Sequence, residues 1–267
     1  MVTDPYLSDL VPEALEEMGF FRMDGAWIKA NISAVVTSQK LASILVSLGD
    51  DIPTSKLYFD QMIDALTTAS SHEDNLTMLQ IERSLWPAKM TDVDIPAFIV
   101  PIKPVWAMHL FDKGIANQDL FGGDPSLILR MENAYYRARR PKVPDAPARV
   151  LWYVIRGKGK HQGTMSIRAC SYIDEVVIGK PKALFSRFRR LGVYQWQDIL
   201  RTANENADKE IMAFQFSNTE VFDFPIFRDE LQEIWQEETG KEFHIRCPIF
   251  IPLSRFFRLY KKGVGLM

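Results

Sequence analysis

Two apolar runs on either side of a short polar loop dominate the middle of the sequence. Val150–Ile155 and Met165–Val177 are rich in β-branched and aromatic residues, and the loop between them is rich in Gly, Lys and His. Runs of this composition are typical of buried β-strands. The feature therefore predicts a sheet at the centre of the chain.

The same region carries an excess of positive charge. Segment Arg130–Arg190 holds 15 Lys and Arg against 4 Asp and Glu, whereas the whole chain holds 32 against 34. The remainder of the chain is therefore acidic, with 17 basic against 30 acidic residues. A local excess on a segment that folds points to a polyanionic partner, and nucleic acid is the first candidate.

Length and composition set wider bounds. A chain of 267 residues fits one large domain or two small ones, and a hydrophobic fraction of 47% supplies a core without metal or disulfide. Cys170 and Cys247 belong to no C-x-x-C pair, which favours buried thiols in a reducing compartment. The sequence shows no signal-peptide pattern and no apolar run of about 18 residues. We expect a cytoplasmic protein without a membrane partner.

The N-terminal third reads as an acidic, mainly helical domain over residues 1–91. Apolar residues at helical spacing predict three helices, over Ser38–Leu48, Lys56–Ala69 and Asn75–Trp86. The stretch GFFRMDGAWIK predicts a β-hairpin, because Asp24-Gly25 favours a two-residue turn. A proline-rich joint then places the domain boundary near residue 91.

Residues 92–267 alternate between strands and short helices. The predicted strands are Ile95–Ile102, Asn133–Arg137, Val150–Ile155, Met165–Val177, Ile211–Phe216, Val221–Phe227 and Ile249–Leu253. The predicted helices are Val105–Phe111, Pro181–Arg190, Gln195–Ala203 and Arg228–Glu238. Prolines place the first strand towards a sheet edge. Because no regular βαβ alternation is present, the pattern predicts an α+β domain on a small closed or half-closed sheet.

Most kinds of catalytic or metal site find little support. None of the four histidines has a second ligand at zinc spacing, so no metal or cofactor is expected. The loop Gly157–Lys160 lacks the following helix and the Ser/Thr of a P-loop, although its lysines suit a bound phosphate. For acid–base chemistry the candidates are Lys103, Lys158, His161, Glu132 and Asp174, and the hydrolase alternative uses Lys103 or His161.

The basic segment interleaves aromatic and basic residues in YYRARRPK, starting at Tyr135. In such a stretch aromatic rings stack on bases while arginines hold phosphates. We therefore expect bases on Tyr135 or Tyr136. The phosphate ligands would form three clusters: Arg137, Arg139 and Arg140; Lys158, Lys160 and His161; and Arg187, Arg189 and Arg190. The alternative is three separate solvated faces whose charge answers the acidic N-terminal part.

The stretch PIKPVWAMHL, from Pro101, resembles the opening of domains of the PUA-like superfamily, of the ASCH and EVE type. The resemblance continues through VLWYVI, ACSYIDEVVIGKP, LFSRFRRLGVYQWQDIL and IMAFQFSNTEVF to the start of the helix PIFRDELQEI, over about Ile95–Ile234. It implies a small β-barrel whose cleft takes RNA or a modified base, with Lys103 and Trp106 at that cleft.

The chain departs from this family at one motif. The ASCH signature Gly-x-Lys-x-x-Glu-x-Arg should follow the opening helix, and Lys113–Gln118 does not supply it. The catalytic Lys and Glu of hydrolytic ASCH members therefore have no counterparts here. The hairpin GFFRMDGAWIK resembles the last strands of a GNAT acetyltransferase fold, but the acetyl-CoA loop is absent from residues 1–91. An ASCH-type domain behind a GNAT-like region implies a stress- or toxin-type (toxin–antitoxin) protein.

Together these features predict a protein that binds RNA or another single-stranded nucleic acid in a basic, aromatic-flanked cleft. One alternative is an RNA-processing or base-amide hydrolase that uses the same cleft. Another is an interaction module whose acidic N-terminal domain masks the cleft or contacts a protein partner.

Overall fold

The computed structural model describes residues 10–23, 25–111, 132–140, 146–157 and 164–266. The chain divides into two compact units between Ile95 and Pro96. We call the part up to Ile95 unit 1 and the part from Pro96 unit 2. Across the described ranges, no helix is long and apolar enough to cross a membrane.

Helices make up most of the described part of unit 1. These are α1 (Leu10–Glu17), α2 (Ser38–Asp51), α3 (Lys56–Ser71) and α4 (Asn75–Ser84), with a 3-10 turn at Pro53–Ser55. The strands are β1 (Phe20–Met23), β2 (Ala26–Lys29), β3 (Val35–Val36) and β4 (Lys89–Met90), and β3 pairs in parallel with β4. The three helices predicted from the sequence are confirmed.

Apolar side chains four or more residues apart on one helix face form the core of unit 1. Leu41 and Leu45 of α2 are fully buried, as are Phe59 and Leu66 of α3. Helices α2 and α4 also begin at residues whose side chains cap them, Thr37 and Asp74. For example, the Thr37 hydroxyl accepts a hydrogen bond from the Lys40 N–H at 3.3 Å, at the start of α2.

The predicted hairpin is confirmed. Strand β1 pairs antiparallel with β2, from Phe20 opposite Lys29 to Met23 opposite Ala26. Gly25 adopts a φ of +81° between the strands, a conformation that glycine reaches without steric cost. Derivation of unit 1 from a GNAT fold stays a prediction.

Unit 2 is an α+β structure. Its strands are β5 (Ala97–Ile102), β6 (Glu132–Ala138), β7 (Ala148–Val154), β8 (Ser166–Gly179), β9 (Ile211–Phe227) and β10 (Ile249–Ile251). Its helices are α5 (Pro104–Leu110), α6 (Pro181–Phe188), α7 (Trp196–Thr202), α8 (Arg228–Thr239) and α9 (Leu253–Gly263). The helices predicted in this part of the sequence are confirmed.

The six strands form one open sheet in the order β10-β5-β7-β8-β9-β6. Only β5 and β7 pair in parallel, and the other neighbours are antiparallel. The sequence predicted a closed or half-closed barrel, and for the described strands closure is wrong. β10 and β6 lie at the two ends of the sheet and do not pair with each other, so the ring of hydrogen bonds that a barrel needs is incomplete.

The position of strand β7 in the middle of the sheet explains why its sequence is so apolar. All seven of its residues are buried, between β5 and β8. Trp152 is fully buried, and its indole N–H donates to the Ser171 hydroxyl at 2.9 Å. The sequence prediction of a buried strand at Val150–Ile155 is confirmed.

Strand β9 corrects a second prediction. Two strands, Ile211–Phe216 and Val221–Phe227, were expected because polar residues separate them. In the structure one strand of 17 residues runs through both. The polar side chains in between are hydrogen-bonded rather than in a turn: the Ser217 hydroxyl donates to Asp174 at 3.0 Å, and Glu220 accepts from the Tyr260 hydroxyl at 2.6 Å.

A third prediction, the position of β5 in the sheet, is also wrong. Its prolines predicted a sheet edge, but β5 lies between β10 and β7. The reason is that β10 pairs only with Ala97–Ile99. Pro101 lies beyond that pairing, so its missing N–H removes no hydrogen bond to β10.

Candidate nucleic-acid interface

The basic residues around helix α6 form the first candidate surface. Strand β6 contacts this helix and the residues after it: the Tyr136 hydroxyl donates to the Leu184 carbonyl of α6 at 3.5 Å, and the Ala134 N–H donates to the carbonyl of Leu191, just beyond α6, at 2.9 Å. The exposed cations here, which we call the α6 surface, are Arg139, Arg140, Lys180, Lys182, Arg187, Arg189 and Arg190. Arg139 and Arg140 follow the end of β6, and Arg187, Arg189 and Arg190 lie at the end of α6, which is about 12 Å long at 1.5 Å per residue; Arg137 of the first predicted cluster is partly buried and does not belong to this surface.

Part of this charge is paired within unit 2. Arg187 donates to both carboxylate oxygens of Glu175, at 2.6 and 2.7 Å, and Lys180 pairs with Asp208 at 2.8 Å. Arg139 pairs with Glu210. The hydrogen bond to Asp208 raises the pKa of Lys180, and the same contact lowers the pKa of the Asp208 carboxyl. Pairing was the alternative considered for these cations, and here the carboxylates come from unit 2.

Other cations of the α6 surface remain exposed. Arg140, Lys182 and Arg189 have no carboxylate partner among the described residues, and Arg190 is exposed beside them. Exposed ion pairs contribute only about 0–1 kcal/mol, so the paired cations are also open to exchange with a phosphate. The surface as a whole is therefore suited to a polyanion.

Tyr135 and Tyr136 do not fit the role predicted for them. Their residues are only 8% and 4% exposed, so neither ring offers a face for a base. The Tyr135 hydroxyl donates to the Pro101 carbonyl at 3.3 Å, and Tyr136 lies 5.0 Å from the ring of Tyr194. Burial raises the pKa of both tyrosines to about 12. The expectation of stacking on these rings is corrected: they are core residues.

The predicted cleft residues lie near this aromatic cluster. Trp106, on α5, is partly buried, with its ring 4.1 Å from the ring of Tyr194. Lys103 is exposed and occupies the N-cap position of α5, where its side chain makes no capping hydrogen bond. Arg137 is partly buried, and this burial lowers the pKa of its guanidinium. Within the described ranges, Arg137 Nη1 is buried without a hydrogen-bond partner.

The third predicted cluster, Lys158, Lys160 and His161, lies outside the described residues. The loop that holds it joins β7 to β8, and β8 begins at Ser166 and ends at Gly179, just before α6. Ser166 and the α6 surface therefore lie at opposite ends of β8.

At the loop end of β8, the structure forms a pocket that sequence reasoning missed. Its cavity volume is about 200 Å³. We call it the arginine pocket, and its lining residues are Tyr153, Ile155, Arg156, Met165, Arg228, Phe243, His244, Ile245 and Arg246. Three arginines and a histidine thus surround one concavity, and no carboxylate is among the described residues that line it.

The floor of the arginine pocket is held by aromatic contacts. Phe243 is 1% exposed, and its ring lies 5.7 Å from Tyr153 and 5.1 Å from Trp235 in edge-to-face geometry. The Phe243 N–H also donates to the Gln232 side chain at 2.8 Å. These contacts fix the chain segment that carries His244 and Arg246. Burial raises the pKa of Tyr153, and the charge of Arg228 opposes that shift.

Only one of these cations belongs to the basic segment of the sequence. Arg156 follows β7, whereas Arg228 begins α8 and Arg246 precedes β10. Nothing in the local pattern around the latter two indicates a shared site. They meet because β9 runs antiparallel to β8, which returns Phe227 to a position opposite Ser166.

Comparison with known proteins gives only weak similarities. No family model and no curated protein matches the sequence. The structure is similar to that of the ASCH protein of Zymomonas mobilis, with 18% identity over 62% of this chain and 94% of that chain, and a TM-score of 0.44. A mutant of the same protein gives 17% identity over 63% of this chain and 96% of that chain, with a TM-score of 0.45.

The N-terminal domain of McrB from Staphylothermus marinus is also similar. It gives 14% identity over 62% of this chain and 94% of that chain, with a TM-score of 0.36. The ASCH structures are of the kind that the sequence resembles.

Proposed function

We propose that unit 2 binds nucleic acid, with RNA or another single strand as the favoured ligand and with the α6 surface as the contact. The observation that supports this most directly is a set of exposed cations without a carboxylate partner among the described residues: Arg140, Lys182 and Arg189. Cations on one face bind a polyphosphate chain by releasing its counterions. Under this proposal the chain would be an ASCH-like member of the PUA-like superfamily.

The proposed mode is contact with the phosphate backbone. The tyrosines of β6 are buried, so the proposal assigns them no base. Contacts that are confined to phosphates give affinity with little sequence preference, because every nucleotide carries the same group. We therefore expect similar affinities for single strands of different sequence and a strong dependence on salt.

The salt dependence of binding tests this proposal. Replacing Arg140 and Arg189 together by Ala should weaken RNA binding and reduce the slope of log K against log salt by about 1.4, since each single-strand phosphate contact contributes about 0.7. Fluorescence anisotropy with a single-stranded oligoribonucleotide over a salt series measures both. The matched control is Lys40→Ala, an exposed cation on α2 of unit 1. The same affinity and slope in the double variant as in wild type would refute the proposal.

A hydrolase is the second candidate, and one observation favours it. Arg137 Nη1 is a buried polar atom that lacks a hydrogen-bond partner among the described residues, and the buried Tyr194 hydroxyl lies beside the backbone of Tyr136. A buried polar atom without a protein partner calls for a water, an ion or a bound ligand. The proposed activity is cleavage of RNA or of a base amide beside Trp106. Incubation with labelled RNA and with acylated nucleosides, followed by product separation, tests it. Loss of turnover in Tyr194→Phe would support it, and no product from wild type at any pH or with any added divalent metal would refute it.

The third hypothesis was an interaction module. For the described residues of unit 1, no observation supports a protein partner. The acidity of unit 1 fits masking of a basic ligand site and an ordinary solvated surface equally well, so it favours neither.

A further inference from the structure

The arginine pocket has a composition that favours an anion. Arg156, Arg228, Arg246 and His244 are all exposed at its mouth, and the three arginines have no carboxylate partner within the described ranges. Three carboxylates are close to these residues in the chain: Asp229 follows Arg228 directly, Glu230 pairs with Lys262, and Glu242 pairs with His244 at 3.1 Å, so the anion site is carried by the arginines and not by the histidine. Guanidinium groups match phosphate oxygens in geometry as well as in charge.

The size of the pocket limits what enters it. Pockets that hold whole small molecules measure about 300–1,000 Å³. A cavity of about 200 Å³ is smaller than this range, so it suits a single charged group better than a nucleoside. The rings of Tyr153 and Phe243 close its floor. A strand would therefore have to end there.

The charge of the pocket indicates which phosphate is favoured. A phosphate inside a nucleic-acid backbone is a diester with one negative charge, whereas a terminal phosphate is a monoester with a charge of about −1.5 to −2 at neutral pH. Three arginines around one cavity match the monoester better, because each additional charge on the ligand strengthens every one of the ion pairs.

We propose that the arginine pocket binds the terminal phosphomonoester of a nucleic-acid strand, with Arg156, Arg228 and Arg246 as its ligands. The inference rests on the proposed nucleic-acid function and adds an end preference to it. The α6 surface lies at the other end of β8, so an end-bound strand and an α6-bound strand are separable contacts.

The experiment compares oligoribonucleotides of one sequence that carry a 5′-phosphate, a 3′-phosphate or hydroxyls at both ends, each with an internal fluorophore. Wild-type protein should bind one of the phosphorylated strands roughly tenfold more tightly than the hydroxyl strand, the effect expected of one charge-assisted hydrogen bond or more. The two phosphorylated arms identify the strand end. Competition by inorganic phosphate or by a nucleoside monophosphate shows whether a free phosphate is an equal ligand.

Variants tie the preference to the pocket. Arg228→Ala combined with Arg246→Ala should remove the preference and leave affinity for the hydroxyl strand unchanged, while Arg228→Lys should keep part of it. The control is Lys241→Ala, a neighbouring exposed cation that does not line the pocket, and it should retain the full preference. Circular dichroism of each variant verifies folding, which these exposed changes should not alter.

Three outcomes would overturn the inference, and they are distinguishable. If all three strands bind wild type with equal affinity, the pocket does not read a terminal phosphate, although the nucleic-acid proposal stands. If no strand binds, both fail together. A preference that survives the double substitution would place the end-binding site elsewhere and would also reject this pocket.

Discussion

The guanidinium of Arg187 donates through one nitrogen, Nη2, to both carboxylate oxygens of Glu175, at 2.6 and 2.7 Å. The two side chains are 52% and 38% exposed, so the pair contributes at most about 1 kcal/mol to stability. Glu175 belongs to β8 and Arg187 to α6. The contact therefore competes directly with any phosphate that approaches the α6 surface.

Removing the carboxylate should release that arginine. We expect Glu175→Gln to raise RNA affinity about two- to fivefold, because a cation becomes available and a repelling charge is lost. Anisotropy titration measures the change. The matched control is Asp64→Asn, which removes an exposed charge from α3 of unit 1. An equal gain in both variants would show an effect of net charge alone and would argue against a contact at Arg187.

Because Tyr135 is buried, its hydroxyl should matter for stability and not for RNA binding. Tyr135→Phe removes the hydrogen bond to the Pro101 carbonyl and should lower the free energy of unfolding by about 0.5–1.5 kcal/mol. Its RNA affinity should equal that of wild type, since the ring does not face solvent. Urea denaturation and RNA titration of the same preparation measure both. A large loss of RNA affinity with unchanged stability would restore the stacking role.

Stability should decline at high pH. The folded-state pKa values of Tyr58, Tyr135 and Tyr136 are raised to about 12 from an ordinary value of 10. Between pH 10 and pH 12 these tyrosines lose their protons more readily in the unfolded chain than in the folded protein. Their contribution to folding stability is therefore fully present below pH 10 and is lost as the pH rises towards 12. Ultraviolet absorbance of tyrosinate, recorded with and without urea, follows this. A single titration near pH 10 in the folded protein would contradict the burial.

Gly263 near the end of α9 should not accept a side chain. A Cβ placed there would lie 2.2 Å from the ring of Phe222, which is itself only 3% exposed. Gly263→Ala should therefore destabilise unit 2 by about 1–3 kcal/mol, although Ala is the better helix former. Thermal unfolding measures this cost.

The control for that substitution is a helical glycine with room around it. At Gly49 of α2 the nearest atoms to an added Cβ are 3.6 Å away, in ordinary contact. Gly49→Ala should stabilise unit 1 by up to about 1 kcal/mol. A gain at both positions would show that the ring of Phe222 moves aside without cost.

Local patterns predicted the elements of this chain well. The apolar run Val150–Ile155 is a strand with neighbours on both sides, and the Asp-Gly pair before Ala26 directs a hairpin. Both signals are contained within a few residues. The break predicted within β9 was wrong because the information that decides it is not local. Ser217 and Glu220 are hydrogen-bonded to residues that are distant in sequence.

The candidate site was predicted less completely, because it depends on what covers each strand. Alternation along β6 predicts one buried face, yet Tyr135 and Tyr136 are both buried. One ring packs on Trp152, while the other lies against Tyr194 and near Leu184 of α6. The alternation of residues along a strand does not show whether a helix packs on its second face. The meeting of Arg156 with Arg228 and Arg246 likewise depends on tertiary structure.

The pairing of β5 with β10 has a consequence for biosynthesis. Ile251 lies opposite Ala97, so the first strand of unit 2 obtains its outer neighbour from residues more than 150 positions later. Such distant contacts form late and slow the search for the native state. While the ribosome is still extending the chain, β5 would present an unpaired edge, and truncation before Ile249 would make that exposure permanent.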